Sequence, residues 1–308
     1  MSAARYRVAH ETSYVYESRV AVAQQFLHLT PRELPWQRRH AHGIVIDPQP
    51  NEVTEHLDYF ENPVCHAVFA SPHDSLTVRA ASEVSVISRR VPDLAGSPGW
   101  ETVRERLREP RGTPLLLASE FLFESPHIRF SAELARYANP SFPAGRPLLE
   151  GALDLNQRIH ADFEFDNSAT SVATPLAEVL HLRRGVCQDF AHLMTGCLRV
   201  LGLSARYVSG YILTTPPPGH ARLVGADASH AWVSVFCPEA GWIDLDPTND
   251  LVADDEHITL GWGRDFSDVA PMRGVILGGG EQELEVKVTV TPLEAGAAMA
   301  NAEGMSAP

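Results

Sequence analysis

Cys187 lies just after Gly185 and opens a run in which Phe190, Ala191, Met194, Cys197, Leu198 and Leu201 recur at helical spacing before Gly202. A cysteine in the first turn of a helix meets unpaired backbone N–H groups and the positive end of the helix dipole, which favour the thiolate. Such a thiolate can attack a carbonyl carbon, and the same N–H groups can hold the resulting oxyanion. Position alone does not decide the matter, because a free cysteine more often serves as a small buried hydrophobe. A nucleophile also needs a base, and the base needs an orienting partner.

The segment His230-Ala231-Trp232-Val233-Ser234-Val235-Phe236 alternates as a strand, with the imidazole on the face of Trp232, Ser234 and Phe236. Cys237 to Gly241 reads as a turn, and Trp242 to Asp246 as a second strand stopped by Pro247. If Phe236 opposes Trp242, then Ser234 faces Asp244, Trp232 faces Asp246 and His230 faces Thr248. Asp246 is then the diagonal neighbour of His230, about 7–8 Å away between backbones, a gap the side chains can close. Asp244 lies one pair further off, so Asp246 is the better orienter.

Other candidates fit less well. The sequence holds 14 histidines, so any single His–Asp pairing is weak evidence alone. His192 points about 140° around the helix from Cys187. His160, His181 and His220 lack a carboxylate at comparable strand spacing and read as structural or surface residues. No C-x-x-C or H-E-x-x-H is present, so neither a metal nor another cofactor is expected. Trp232 and Trp242 could line an acyl site but more often pack, and Gln188 and Asp189 suit the start of a helix. The segment from Thr215 to Ser229 reads as a surface connection or a substrate wall.

The elements that must position these residues form two parts. Residues 1–88 read as a β-rich amino-terminal domain of several short strands, among them Tyr6 to His10, Gly43 to Asp47 and Leu76 to Ile87. A hairpin is expected around Glu61-Asn62-Pro63. Residues 89–116, broken by Pro92, Pro98, Pro110 and Pro114, read as a linker with one short helix near Trp100 to Leu107. Residues 117–292 form the expected core, with helices over Leu115 to Phe123, Ser131 to Tyr137 and Leu148 to His160. It continues through strands at Phe163 to Asn167, Ala205 to Ile212 and Leu284 to Val290. Residues 293–308 read as a disordered tail.

The ordered set Arg183 to Leu193 (RRGVCQDFAHL), Ser229 to Val233 (SHAWV) and Gly241 to Thr248 (GWIDLDPT) resembles the bacterial transglutaminase-like superfamily. The resemblance implies an α+β fold, a papain-like transglutaminase core of helices packed on an antiparallel sheet, preceded by a β-sandwich-like amino-terminal domain. It implies a catalytic triad of Cys187, His230 and Asp246. The expected chemistry is cysteine-dependent acyl transfer on peptide or carboxamide substrates through a thioester. Hydrolysis (peptidase or amidase) is favoured over protein cross-linking, and a catalytically silent binding scaffold is the alternative from another class.

Composition narrows the partners. An apolar fraction of 44% and a charged fraction of 21% in 308 residues describe folded domains, not a disordered chain. Acidic residues outnumber basic ones 39 to 25, for a net charge of −14, which argues against nucleic acid. No apolar run approaches the roughly 18–20 residues of a membrane span. With no export signal in view and four unpaired cysteines, a cytoplasmic location and a peptide or protein substrate are expected.

Overall fold

Alternating burial along the first residues follows the alternating sequence, and it continues far longer than the turn signals suggest. The computed structural model describes residues 3–214 and 229–293. Its first strand, β1, runs unbroken over Ala3–Leu27. It is followed by β2 (Gln37–Asp47), β3 (Glu52–Leu57), β4 (Pro63–Phe69) and β5 (His73–Ile87). The expected hairpin joins β3 and β4, with residues 58–62 as the turn. Then come α1 (Trp100–Arg108), α2 (Thr113–Ser119), α3 (Ala132–Ala138), α4 (Leu148–Asp162), β6 (Glu164–Phe165), α5 (Leu176–Leu182) and β7 (Arg184–Gly185). The chain continues through α6 (Cys187–Val200), β8 (Ala205–Ile212), β9 (Ser229–Cys237), β10 (Gly241–Asp246) and β11 (Leu251–Val252). It closes with β12 (His257–Gly263), α7 (Phe266–Val269), β13 (Met272–Gly278) and β14 (Gln282–Pro292).

The amino-terminal sheet is a single antiparallel sheet bent along β1. The first half of β1 pairs with β5 and β14, and the second half with β4 and β13. Register shifts between Val15 and Val22 mark the bend. Val20, Ala23 and Leu27 from one half share a core with Leu76, Val78 and Ala80 from the other, which makes the layers sandwich-like. Here the structure corrects the sequence reading in two places. Leu284 to Val290 does form a strand, but it pairs with β1 of the amino-terminal sheet rather than within the expected core. The proline-rich 89–116 stretch is not a free linker, because Trp100, Val103 and Leu107 of α1 pack into the main helical core. Neither pairing leaves a local signature, since the partners lie far apart in sequence.

The second sheet runs β11-β10-β9-β8-β12, all antiparallel. Helix α6 lies against it, with every residue from Asp189 to Arg199 buried. The two sheets meet in an apolar layer of Tyr6, Val8, Val84 and Val86 against Tyr211, Ile258 and Leu260, closed by Val288 and Val290 of β14. Polar ties reinforce it. The Gln37 side chain donates to the Thr259 carbonyl and accepts from the Thr259 N–H, both at 2.7 Å, as a strand partner would. The Asn62 side chain does the same with Trp262, at 2.8 and 3.0 Å. Strand β12 is therefore held by the amino-terminal domain on one side and by β8 on the other. No helix among the described residues is long and apolar enough to cross a membrane. The expected tail from residue 294 onward and the segment 215–228, with His220, lie outside the described residues.

Candidate active site

Cys187 is the first residue of α6, and the turn before it explains why the helix begins there. Val186 is extended (φ −113°, ψ 177°), and its N–H donates to Asp189 Oδ2 at 2.9 Å, the reaching-back half of a capping box. Thr170 Oγ1 donates to the same oxygen at 2.6 Å. Burial pushes the Asp189 carboxyl up, against these two hydrogen bonds, which favour its charged form. Gly185 makes room for it: a Cβ there would stand 2.6 Å from Asp189 Oδ2 and 3.0 Å from Asp189 Cβ. Gly185→Ala should therefore cost about 1–3 kcal/mol and slow Cys187 alkylation, as Asp189 moves and the Val186 N–H loses its acceptor. Urea melts and labelling rates would check both. The helix ends at Gly202 (φ +80°), whose N–H donates to the Arg199 carbonyl at 2.8 Å.

The hairpin supplies the other two groups. Trp242 pairs with Phe236, Ile243 with Val235, Asp244 with Ser234 and Leu245 with Val233. Just past that ladder, His230 Nε2 donates to Asp246 Oδ2 at 2.7 Å, with the carboxylate fully buried. With Nε2 engaged by Asp246, Nδ1 is the ring nitrogen left for Cys187, whose charge acts on the imidazole and whose Sγ lies 4.0 Å from the Ser229 carbonyl. Burial alone would strip the His230 proton, but the bond to Asp246 and the negative charge of Asp246 and Cys187 outweigh it and raise the imidazole to about 10. Burial likewise opposes the Asp246 charge, yet donors from His230 and His257 hold the carboxyl well below its ordinary range. Asp246 Oδ1 takes the N–H groups of Thr248 (2.9 Å) and Asn249 (3.2 Å), and Oδ2 takes the Asn249 side chain (2.8 Å).

Cys187 and His230 line one cavity of about 710 Å³ with Gln188, Tyr207, Asn249 and Phe266. Cys187 is half-buried there, whereas Cys65, Cys197 and Cys237 are buried, and all four thiols are free. Burial pushes all three of those thiols up, Cys197 to about 12. Of the residues given lesser roles, Trp232 and Trp242 pack. Trp232 is fully buried behind His230 at 6.1 Å between ring centroids, and Trp242 lies against Phe121 and Phe236. Asp244 is tied to Arg89 at 2.9 Å and takes no part in the cavity. His192 is buried away from it, accepting from the Phe266 N–H at 3.1 Å. His160 bonds the Thr248 carbonyl at 2.9 Å, one shell behind the site.

The buried histidines predict a pH optimum for stability. His230, raised, contributes stability that is fully present below 6.5 and lost as pH rises through about 10. Burial lowers His10 and His42 to about 4 and His192 to about 3, so their contribution is present above 6.5 and lost as pH falls through those values. Unfolding free energies from urea melts should peak near pH 6.5 and decline on both sides, by on the order of a few kcal/mol at the alkaline end.

Two family matches fall on these two parts of the chain. The bacterial transglutaminase-like N-terminal region matches residues 6–85, and the transglutaminase-like superfamily matches residues 136–247. An uncharacterized protein of Mycobacterium tuberculosis (strain ATCC 25618 / H37Rv) is 42% identical over 299 residues, covering 94% of this chain and 93% of its own. The chain belongs to the transglutaminase-like superfamily. A second uncharacterized relative, from Mycobacterium leprae (strain TN), is 31% identical over 94% of this chain and 99% of its own. The fold matches a Cytophaga hutchinsonii crystal structure named as a candidate cysteine protease, with TM-score 0.73, 20% identity, and coverage of 96% and 92% of the two chains. The span matched to the superfamily encloses Cys187, His230 and Asp246 and ends one residue after Asp246. His257 and Asn249, which also hold the Asp246 carboxylate, lie beyond it and were missed by the hairpin argument. Asn249 was within reach of that argument, three residues past Asp246. His257 sits on a strand that pairs with β8 instead, so no local spacing points to it. Among the described residues, His230, Asp246 and His257 are the one trio close enough to share a cation, within 4.8 Å. Their 2.7 and 3.1 Å spacings are those of N–H···O bonds onto one oxygen.

Proposed function

We propose that the protein is a cysteine acyl-transfer enzyme that works on peptide or carboxamide substrates, with Cys187, His230 and Asp246 as its catalytic triad. The observation that carries this reading is the half-buried Cys187 lining one cavity with an imidazole whose Nε2 is anchored on a buried carboxylate. The thiolate attacks the carbonyl carbon, and backbone N–H groups in the first turn of α6 hold the oxyanion. The His230 imidazolium passes its Nδ1 proton to the departing nitrogen, the C–N bond breaks, and a thioester remains on Cys187. Water then attacks the thioester, His230 takes its proton, and the acid leaves with the thiolate restored.

Hydrolysis is the favoured fate because Cys187 lines a cavity that water, far more concentrated than any amine, can enter. A second reading, transfer to a lysine amine, draws support from a Pseudomonas aeruginosa protein-glutamine gamma-glutamyltransferase that is 29% identical over 156 residues. That match covers 50% of this chain and 19% of the relative. Incubation with a peptide library, with and without a primary amine, separates the fates by mass spectrometry. Cleaved or deamidated peptides support hydrolysis, and amine incorporation supports cross-linking. A library unchanged under both conditions would count against the enzymatic reading.

A further inference from the structure

Asp246 Oδ2 receives three donors, and one comes from outside the His230–Asn249 segment. It is His257 on β12, whose Nε2 lies 3.1 Å from the oxygen that His230 reaches at 2.7 Å. The His257 ring is buried, with the Trp232 indole set edge-on at 5.2 Å between centroids and 79° between planes. Its Nδ1 is buried without a hydrogen-bond partner among the described residues. Unpaired buried N–H groups are rarer than unpaired lone pairs, so the ring proton belongs on Nε2, where it has an acceptor. His257 then donates from Nε2, and the single negative charge of Asp246 is divided among His230, Asn249 and His257.

We infer that His257 is a positioning residue for the Cys187–His230 pair, holding the Asp246 carboxylate against His230 and setting how much negative charge the imidazole meets. The inference rests on the acyl-transfer reading of the site. It also gives the amino-terminal domain a part in the chemistry, since Gln37 and Asn62 clamp the strand that carries His257.

The titratable groups facing His257 are Asp246 from β10 and His230 from β9, with Cys187 of α6 beyond His230. Strand β8 brings Tyr211, bonded to His10, and Arg206, stacked between Trp242 and Trp262. In the loop before β12, Asp254 is bound by Ser88 and the Arg89 N–H, while Asp255 and Glu256 act on Tyr6. Among these, His257 is the donor that can be removed without touching the reacting groups. Without it, Asp246 presents more negative charge to the pair. The imidazolium then keeps its proton to higher pH, and the thiolate beside it also forms at higher pH.

The test is iodoacetamide labelling of Cys187 across pH, read by mass spectrometry on the full chain and on His257→Leu, His257→Gln and His257→Asn. Leucine donates nothing, glutamine returns an N–H near the reach of Nε2, and asparagine is too short to do so. We expect both limbs of the labelling profile to move up by about one pH unit in His257→Leu and His257→Asn. Labelling on the acid limb would then slow about tenfold, with wild-type limbs kept in His257→Gln. Should His257→Leu not fold, the Gln and Asn pair carries the same comparison. Limbs that stay in place while rates fall at every pH, or glutamine behaving like asparagine, would overturn the inference. Wild-type Cys187 labelling no faster than the buried cysteines would instead remove the acyl-transfer reading itself.

Discussion

Replacing Cys187 by alanine should abolish the covalent acyl-enzyme, and His230→Ala should lower kcat/KM by on the order of 10⁴ or more. The two losses have different origins. Without the sulfur there is no atom to carry the acyl group. Without the imidazole the thiol loses the cation that supports its charge, and the leaving nitrogen loses its proton donor. Neither change should unfold the protein. Cys187 is half-buried, and removing His230 leaves Asp246 with Thr248, Asn249 and His257 as donors. Intact-mass spectrometry with a substrate peptide measures the first effect, steady-state kinetics the second, and thermal melts verify the fold.

Asp246→Ala should damage both reactivity and stability. The carboxylate has no solvent exposure and accepts five hydrogen bonds, so its loss strands two buried imidazoles and takes the acceptor from the N–H groups of Thr248 and Asn249 at the cavity edge. Breaking a buried pair of this kind costs about 3–5 kcal/mol. Acylation should slow about 10–10³-fold, less than for the other two residues, because nucleophile and base remain while the imidazole is free to turn. Asp244→Ala makes the contrast. It breaks the 2.9 Å pair with Arg89 and should lower the urea midpoint, yet leave the pH dependence of Cys187 labelling unchanged. Paired urea melts and labelling profiles for the two variants read out both effects.

The fold class and the His230–Asp246 pairing of the candidate site were legible in the sequence, and the long-range strand pairings were not. A hairpin is local, and its register follows once one pair and the turn length are chosen, so Asp246 could be picked over Asp244 from alternation alone. The helix start was equally local, with Gly185, Cys187 and Asp189 inside one turn. What stayed hidden depends on distant pairing. Strand β14 lies along β1, joining Tyr6 to Pro292 and Tyr16 to Gln282, and nothing in either segment names the other. The same applies to β12, whose His257 reaches Asp246 because the strand pairs with β8 and is gripped by Gln37 and Asn62 from the amino-terminal domain. The 25-residue length of β1 was also unreadable, since a bent strand carries the same alternation as two short ones.

The most direct test of the account is selective alkylation. Wild-type protein, treated briefly with iodoacetamide at mildly acidic pH and digested for mass spectrometry, should carry the label on Cys187. Cys65, Cys197 and Cys237, buried and with raised thiols, should remain unmodified, and His230→Ala should lose the Cys187 label under the same conditions. Label spread evenly over the four cysteines, or Cys187 labelling that persists unchanged in His230→Ala, would contradict an imidazole-activated nucleophile.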